Sequence, residues 1–169
     1  LELVEPRWLE ELLGHALRPA VGGVAPKLVY ADGTIAHAGS VLLADGTVGR
    51  PFQHMADAPA WTTMGGTAWT RNHLALPAAC LAVRRDRFEA AGRFDAAVSD
   101  EAAAAGLCLA LVGRGLWNVY TPHTRVMHHG CDERGEPARV DVGAPVPDPF
   151  WNPNLSTRVF NGRPQSATL

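Results

Sequence analysis

Asp100 and Glu101 stand side by side behind Ser99, at the head of a run of alanines and leucines. Ser99 can cap a helix there, and carboxylates in a first turn are favoured by the positive end of the macrodipole. A carboxylate held in that way can accept a proton from a hydroxyl group. His128 and His129 form an adjacent imidazole pair, with Cys131 close behind. These are metal-ligating types, but neighbours on a strand point to opposite faces, so at most one of the pair can serve a given site. Cys131 has no second cysteine at the two-to-four spacing of a structural zinc site. Trp61 and Trp69 flank the Gly65-Gly66 pair in a stretch without clear period. Aromatic rings in such a stretch either offer a flat face to a ligand or anchor the loop on the core.

The elements that must position these groups follow from periodicity. Pro6 suits a first helical position, and Trp8, Leu9, Leu12, Leu13, Ala16 and Leu17 recur at helical spacing, predicting an amphipathic helix over 6–18. Two β-rich runs, 21–30 and 34–43, flank Asp32-Gly33 and predict a tight hairpin; Asp45-Gly46 ends the second run. Residues 50–76 read as a long loop, and 78–83 as a short buried strand. A helix over 85–91 has Gly92 for its left-handed cap, and the helix behind Ser99 runs to about residue 112. Strands are expected over 117–121 and 124–128, on either side of Pro122. Beyond Gly130 the chain is rich in Pro, Gly and Asp, and is expected to wrap the domain rather than form a second one.

The chain has 169 residues, 47% apolar and 19% charged, an ordinary globular composition for one domain. The formal net charge is -2 and no Lys/Arg cluster appears, so nucleic acid is not an expected partner. No stretch approaches the roughly 20 apolar residues of a membrane-spanning helix, and the first residues are no signal peptide. A soluble, cytoplasmic protein is the expectation. Three cysteines argue against a disulfide framework, with Cys80 and Cys108 read as buried thiols. The chain opens without Met, in mid-pattern, and the expectation is that something precedes it.

Several segments stand in an order of their own. They are Val4-Glu5-Pro6-Arg7-Trp8-Leu9, Asp32-Gly33-Thr34-Ile35-Ala36-His37-Ala38-Gly39, Ala79-Cys80-Leu81-Ala82-Val83-Arg84-Arg85 before Phe88, and Gly92-Arg93-Phe94-Asp95. Leu107-Cys108-Leu109, Val119-Tyr120-Thr121-Pro122, His128-His129 and Asp148-Pro149-Phe150-Trp151-Asn152-Pro153-Asn154 follow. Over about residues 1–160 this order resembles the acceptor-side half of family-two, GT-A type glycosyltransferases that build bacterial cell-surface polysaccharides, rhamnosyltransferase-like members especially.

The resemblance implies an α/β fold: a partial GT-A mixed sheet with three flanking helices, residues 1–130 forming the core and 131–169 an extended wrapping segment of one domain. It implies a nucleotide-sugar donor, a glycan or lipid-linked acceptor, and a divalent cation, Mg²⁺ or Mn²⁺, on the donor diphosphate. The Asp-x-Asp motif that holds this ion would fall before Leu1. Gap-free alignment puts the family's acidic cluster on Ala104-Ala105-Gly106, and neither Ala104 nor Gly106 can accept a proton. Asp100 and Glu101, about one turn upstream, are the substitutes at hand. One of His128 and His129 matches a metal-contacting His, or the two are a packed or solvated pair. Trp61 and Trp69 become candidates for stacking on an acceptor sugar, and Arg134 matches a donor-closing loop or is a solvated arginine. His37 is assigned to packing and Asp95 to a turn. Two functions remain open: a glycosyltransferase piece that is inactive alone, or a non-catalytic binding or scaffolding module. A half-domain would expose a sheet edge, implying a homodimer near Leu1 that covers Trp8, Leu12 and Ala16, or contact with a missing N-terminal half.

Overall fold

The computed structural model describes residues 1–57, 66–130, 137–141, 148–152 and 154. In chain order the elements are β1 (Glu2–Leu3), α1 (Trp8–Ala16), β2 (Val21–Val29), β3 (Ile35–His37), β4 (Val41–Leu42), β5 (Val48–Gly49), β6 (Arg71–His73), β7 (Ala82–Val83), α2 (Arg85–Ala90), α3 (Asp100–Val112) and β8 (Trp117–Met127). The fold is mixed α/β. Its axis is the parallel pair β2 and β8, in register from Val21 opposite Trp117 to Val29 opposite Met127. Short antiparallel strands flank this pair: β1 and β6 lie on β8, and β3 and β7 on β2. β4 and β5 form a separate two-stranded sheet.

Every residue of β2 is buried, as expected for a parallel strand covered on both faces. Val24 and Val119 face α1, where they meet Leu12 and Ala16; Ala25 and Tyr120 face the other way, toward Ala105 and Cys108 of α3. The two helices therefore cover opposite faces of the sheet. Pro26 and Pro122 sit at one irregularity: Pro26 is opposite Thr121, but the next pair is Lys27 with Arg125. Neither proline can donate to the ladder, and the bulge is where that loss is accommodated. Gly22 and Gly23 let β2 pass close to Asn118, since a Cβ on Gly22 would lie 3.0 Å from Leu111 Cβ and 3.2 Å from Asn118 Oδ1.

Several expectations change. The first helix is Trp8–Ala16 rather than 6–18; Pro6 lies in the turn that leads into it, where the Trp8 N–H donates to the Glu5 carbonyl. The run 34–43 is not one hairpin strand. It breaks at Gly39, whose φ of 87° an L side chain rarely adopts and whose Cβ would fall 2.3 Å from His73 Nε2. β3 stays on β2 and β4 turns away to β5. The loop 50–76 contains a strand, β6, and 78–83 shrinks to β7, which is half-buried. β8 runs unbroken through Pro122. Cys108 is buried but Cys80 only partly so. Leu12 and Ala16 are buried within the chain and Trp8 packs beside them, so the dimer face expected from those residues is already covered.

Long-range ties fix the loops. Tyr120 Oη donates to the Thr67 carbonyl at 2.8 Å, and Asp148 accepts from the N–H groups of Leu42 and Phe150 at 3.0 and 2.9 Å. Asn118 is fully buried and donates from Nδ2 to the carbonyls of Leu74 and Cys108 at 3.1 and 3.0 Å, joining β8, the chain after β6, and α3. Asn118→Ala should cost about 1–3 kcal/mol, because it strands two buried carbonyls. Urea unfolding at neutral pH measures it, and a loss below about 0.5 kcal/mol would mean that the carbonyls find other donors.

Candidate functional site

The carboxyl ends of β2 and β8 leave the sheet at the same end, beside the start of α3. Parallel strands tend to place ligand sites outside such ends. A cleft of about 1040 Å³ opens there. Leu28 and Tyr30 come from the end of β2, His37 from β3, His128 from the chain just past β8, and Asp100 and Glu101 from α3. Arg50, Gln53 and His54 close one side and Phe94, Asp95 and Val98 the other.

Ser99 caps α3 with its side chain accepting from the Ala102 N–H at 3.5 Å. This fixes the first turn and turns Glu101 inward, where its side chain is 15% exposed. Glu101 Oε1 lies 3.3 Å from His37 Nε2 and 3.7 Å from Arg50 Nε. Burial pushes the Glu101 carboxyl up, but the hydrogen bond and charge of His37, the charge of Arg50 and the Ala78 N–H outweigh it, and the net shift is downward. Glu101 is thus an ionised acceptor of hydrogen bonds at neutral pH. Asp100, one residue earlier, stays exposed at the rim.

Ser40, His37 and Glu101 are the residue types of a nucleophilic triad, but the geometry is wrong for one. Ser40 Oγ and Glu101 both approach the same nitrogen, His37 Nε2, each at 3.3 Å, and Ser40 is fully buried. The Ser40 carbonyl in turn accepts from His73 Nδ1 at 3.2 Å. A buried polar chain therefore runs from the cleft through Glu101, His37 and Ser40 to His73.

Tyr30 forms an aromatic wall. His54 stacks on it with centroids 5.3 Å apart and planes 5° from parallel, His128 meets it edge-on at 5.9 Å, and Gln53 Nε2 donates to its hydroxyl at 3.1 Å. His54 and Phe52 hold φ values of 61° and 67°, in the left-handed region. Non-glycine residues persist there only where surroundings hold them, often beside ligand sites. Opposite, Phe94 packs edge-on against Phe88 at 5.1 Å while remaining 49% exposed. Asp95 Oδ1 accepts from the Ala97 N–H at 2.8 Å, the turn role expected of it.

The cleft thus gathers Asp100, Glu101 and His128 from among the residues singled out in the sequence. His129 does not join them; its Nε2 lies 2.7 Å from Glu2 Oε2. Trp69 is 63% exposed and does not line the cleft. Trp61 and Arg134 lie outside the described residues. Ala104 is fully buried, Gly106 is half-buried, and neither lines the cleft. Among the described residues no three His, Cys, Asp or Glu side chains are grouped to hold a metal ion. No helix among them is long and apolar enough to cross a membrane. Sequence reasoning missed Arg50 and His54, which lack any spacing signal, and gave His37 packing alone.

No protein-family model matches the chain, and no solved structure does. The chain is similar to the O-antigen biosynthesis protein RfbC of Myxococcus xanthus, 37% identical over 168 residues that cover 92% of this chain and 13% of that protein. It is also similar to the uncharacterized protein y4gI of Sinorhizobium fredii (strain NBRC 101917 / NGR234), 31% identical over 182 residues, covering 92% of this chain and 19% of that one. The chain spans less than a fifth of the length of either relative.

The buried chain of polar groups sets an acid limit. His73 is pushed down to about 3, first by burial and then by the Arg71 charge, so the folded state holds it neutral. A depressed value means that its contribution is complete above the ordinary histidine value and is lost as pH falls toward 3. Stability should fall by up to about 1.4 kcal/mol per pH unit from this group once pH drops below about 6. Glu101, also depressed, adds its own loss at lower pH, below its ordinary carboxylate range. Urea midpoints at pH 7, 6 and 5 (chosen, about, to bracket the histidine range) should converge between wild type and His73→Phe as pH falls. Parallel lines would assign the acid loss to other groups.

Proposed function

We propose that the chain serves in polysaccharide assembly as the acceptor-binding part of a GT-A type glycosyltransferase, with the cleft between α3 and Tyr30 receiving an acceptor sugar. The observation that carries this reading is the cleft's chemistry. A carboxylate held ionised beside Arg50, Glu101, lines a space together with the exposed side chains of Phe94 and Val98 and the half-buried ring of Tyr30. Sugar rings present hydroxyls that a carboxylate can hold and an apolar C–H face that an aromatic ring can cover. The name carried by the Myxococcus xanthus relative points to the same class of polymer.

In this reading Glu101 orients an acceptor hydroxyl. Its lowered proton affinity makes it a stronger anchor than base, and Asp100 is the other carboxylate that lines the cleft. A divalent ion carried by a donor diphosphate would meet one imidazole of this cleft, His128, with its other ligands coming from the diphosphate and from a donor-binding segment. A second reading, a non-catalytic glycan-binding module, draws on a specific observation: the two positions expected to carry acids are Ala104 and Gly106, and Ala104 is sealed in the core.

Calorimetry with hexose- and deoxyhexose-terminated oligosaccharides tests the binding that both readings share. Glu101→Gln and Phe94→Ala should each weaken binding about threefold to tenfold, up to about 1.4 kcal/mol, while Trp69→Ala leaves it unchanged. Equal affinity in all variants would remove the cleft from consideration.

Activity then separates the two readings. UDP-, GDP- and dTDP-sugars with Mn²⁺ should bind this chain more weakly than about 10 μM. Turnover that is lost in Asp100→Asn would establish the transferase, and glycan binding without turnover, even beside a donor-binding half, the module.

A further inference from the structure

α1 has a second apolar face that nothing among the described residues covers. Leu12 and Ala16 turn inward onto Val21, Val24 and Val119, but Leu9, Leu13 and Leu17 are 47%, 41% and 64% exposed. Their spacing of four places them in one outward stripe. Glu10, Gly14 and Arg18 run beside it at the same spacing, all exposed. A Cβ on Gly14 would meet nothing within 4 Å, so the middle of this surface is an open hollow.

This pattern is its own complement under a two-fold rotation. An axis crossing the helix between Leu13 and Gly14 sets each Leu13 over Gly14 of a second copy. It brings Leu9 to the level of Arg18 and Glu10 to the level of Leu17, each one residue, about 1.5 Å along the axis, from Leu17 and Arg18 of the second copy. Isologous interfaces require this kind of self-matching, and a small residue at the crossing lets helix backbones approach. The narrow stripe, edged by one acidic and one basic position, favours a helix of the same sequence over a broad apolar partner. Glu10 meets Arg7 at 2.6 Å and Arg18 Nε donates to the Gly14 carbonyl at 3.2 Å, both at exposed positions. Such surface ties are weak enough to exchange.

We propose that two copies of this chain associate through the outer face of α1, antiparallel, with leucines at the centre and Glu10–Arg18 pairs at both ends. α1 and α3 cover opposite faces of the sheet and no residue of α1 lines the cleft, so pairing through α1 does not use cleft residues. The pairing does not depend on what the cleft binds. One short helix per copy makes a small interface, so the dissociation constant should be on the order of 10–100 μM.

Sedimentation velocity of the 169-residue chain, from about 5 μM to about 500 μM to bracket that constant, should show the average mass rising from monomer toward dimer. Leu13→Glu should weaken association at least about tenfold. Glu10→Lys and Arg18→Glu should each weaken it about threefold, and the double reversal should restore it. Leu9→Gln offers a second, milder cut at the stripe should Leu13→Glu lose its native circular dichroism. A chain that is monomeric throughout overturns the proposal. A dimer indifferent to Leu13→Glu or Leu9→Gln, or charge reversals that do not compensate, would place the contact on another face and overturn it equally.

Discussion

The parallel pairing of β2 with β8 is the constraint on which the rest of the structure depends. Two parallel strands cannot be joined by a hairpin, so everything between residues 29 and 117 has to travel back across the sheet before β8 begins. That return path supplies the separate sheet of β4 and β5, the short strands β3, β6 and β7 of the main sheet, and then α2 and α3. It also forces both faces of β2 to be covered, which is why its sequence is a run of small and apolar residues rather than an alternation. Gly22 and Gly23 matter here because α3, Leu116 and Asn118 all press on that stretch. The same geometry brings the carboxyl ends of both long strands to one edge, and the cleft is the space left where the chain diverges from them.

The buried polar groups around the cleft act as fasteners first. Glu101, His37, Ser40 and His73 link the start of α3, the stretch from β3 to the turn before β4, and β6, three segments far apart in sequence. A carboxylate tied to an imidazole and a guanidinium loses much of its appetite for a proton while remaining able to accept hydrogen bonds. Structural fastening and ligand orientation thus ask the same thing of Glu101, whereas proton transfer asks something different. Lys27 and Asp57, 2.7 Å apart and mostly buried, extend the same logic to the loop after β5.

What could be read in the sequence follows a physical division. α3 was legible because its signals are local: a serine cap, two acids in the first turn and a long apolar run. α1 was legible from period, whereas the mixed sheet was expected from the resemblance and the Asp32-Gly33 hairpin. The break at Gly39 was not, because it is set by His73, more than thirty residues on, packing where a side chain would otherwise point. The joining of 117–121 to 124–128 was hidden for a similar reason: a proline reads as a breaker, and the bulge between Pro26 and Lys27 that accommodates Pro122 appears only when β2 lies beside β8. Asp100, Glu101 and His128 were found by residue type and position. Arg50 and His54 were not, since they sit on an aperiodic turn whose left-handed residues are held by tertiary contacts. Trp69 drew notice for its chemistry, yet its loop leaves it in solvent away from the cleft.

The alanines of α3 explain why the acids suggested by the resemblance could not simply be restored. Ala102, Ala103, Ala104 and Ala105 are all buried, and the helix lies against β2 and β8 with little more than methyl groups between. An aspartate at position 104 would place a charge in a site with no exposure at all, where an unpaired carboxylate is strongly disfavoured. Position 106 differs, for a Cβ there meets nothing within 4 Å. The two positions are therefore unequal: the close packing of α3 disfavours an acid at 104 and not at 106. Glu101 lies three residues before Ala104, about 4.5 Å along the axis and on the same side of the helix. A carboxylate at 101 can reach the cleft because the first turn projects past the sheet edge, where His37 and Arg50 can balance it. The carboxylates of this helix, Asp100 and Glu101, thus both stand in its first turn, where a charge and the close packing of Ala102 to Ala105 are compatible.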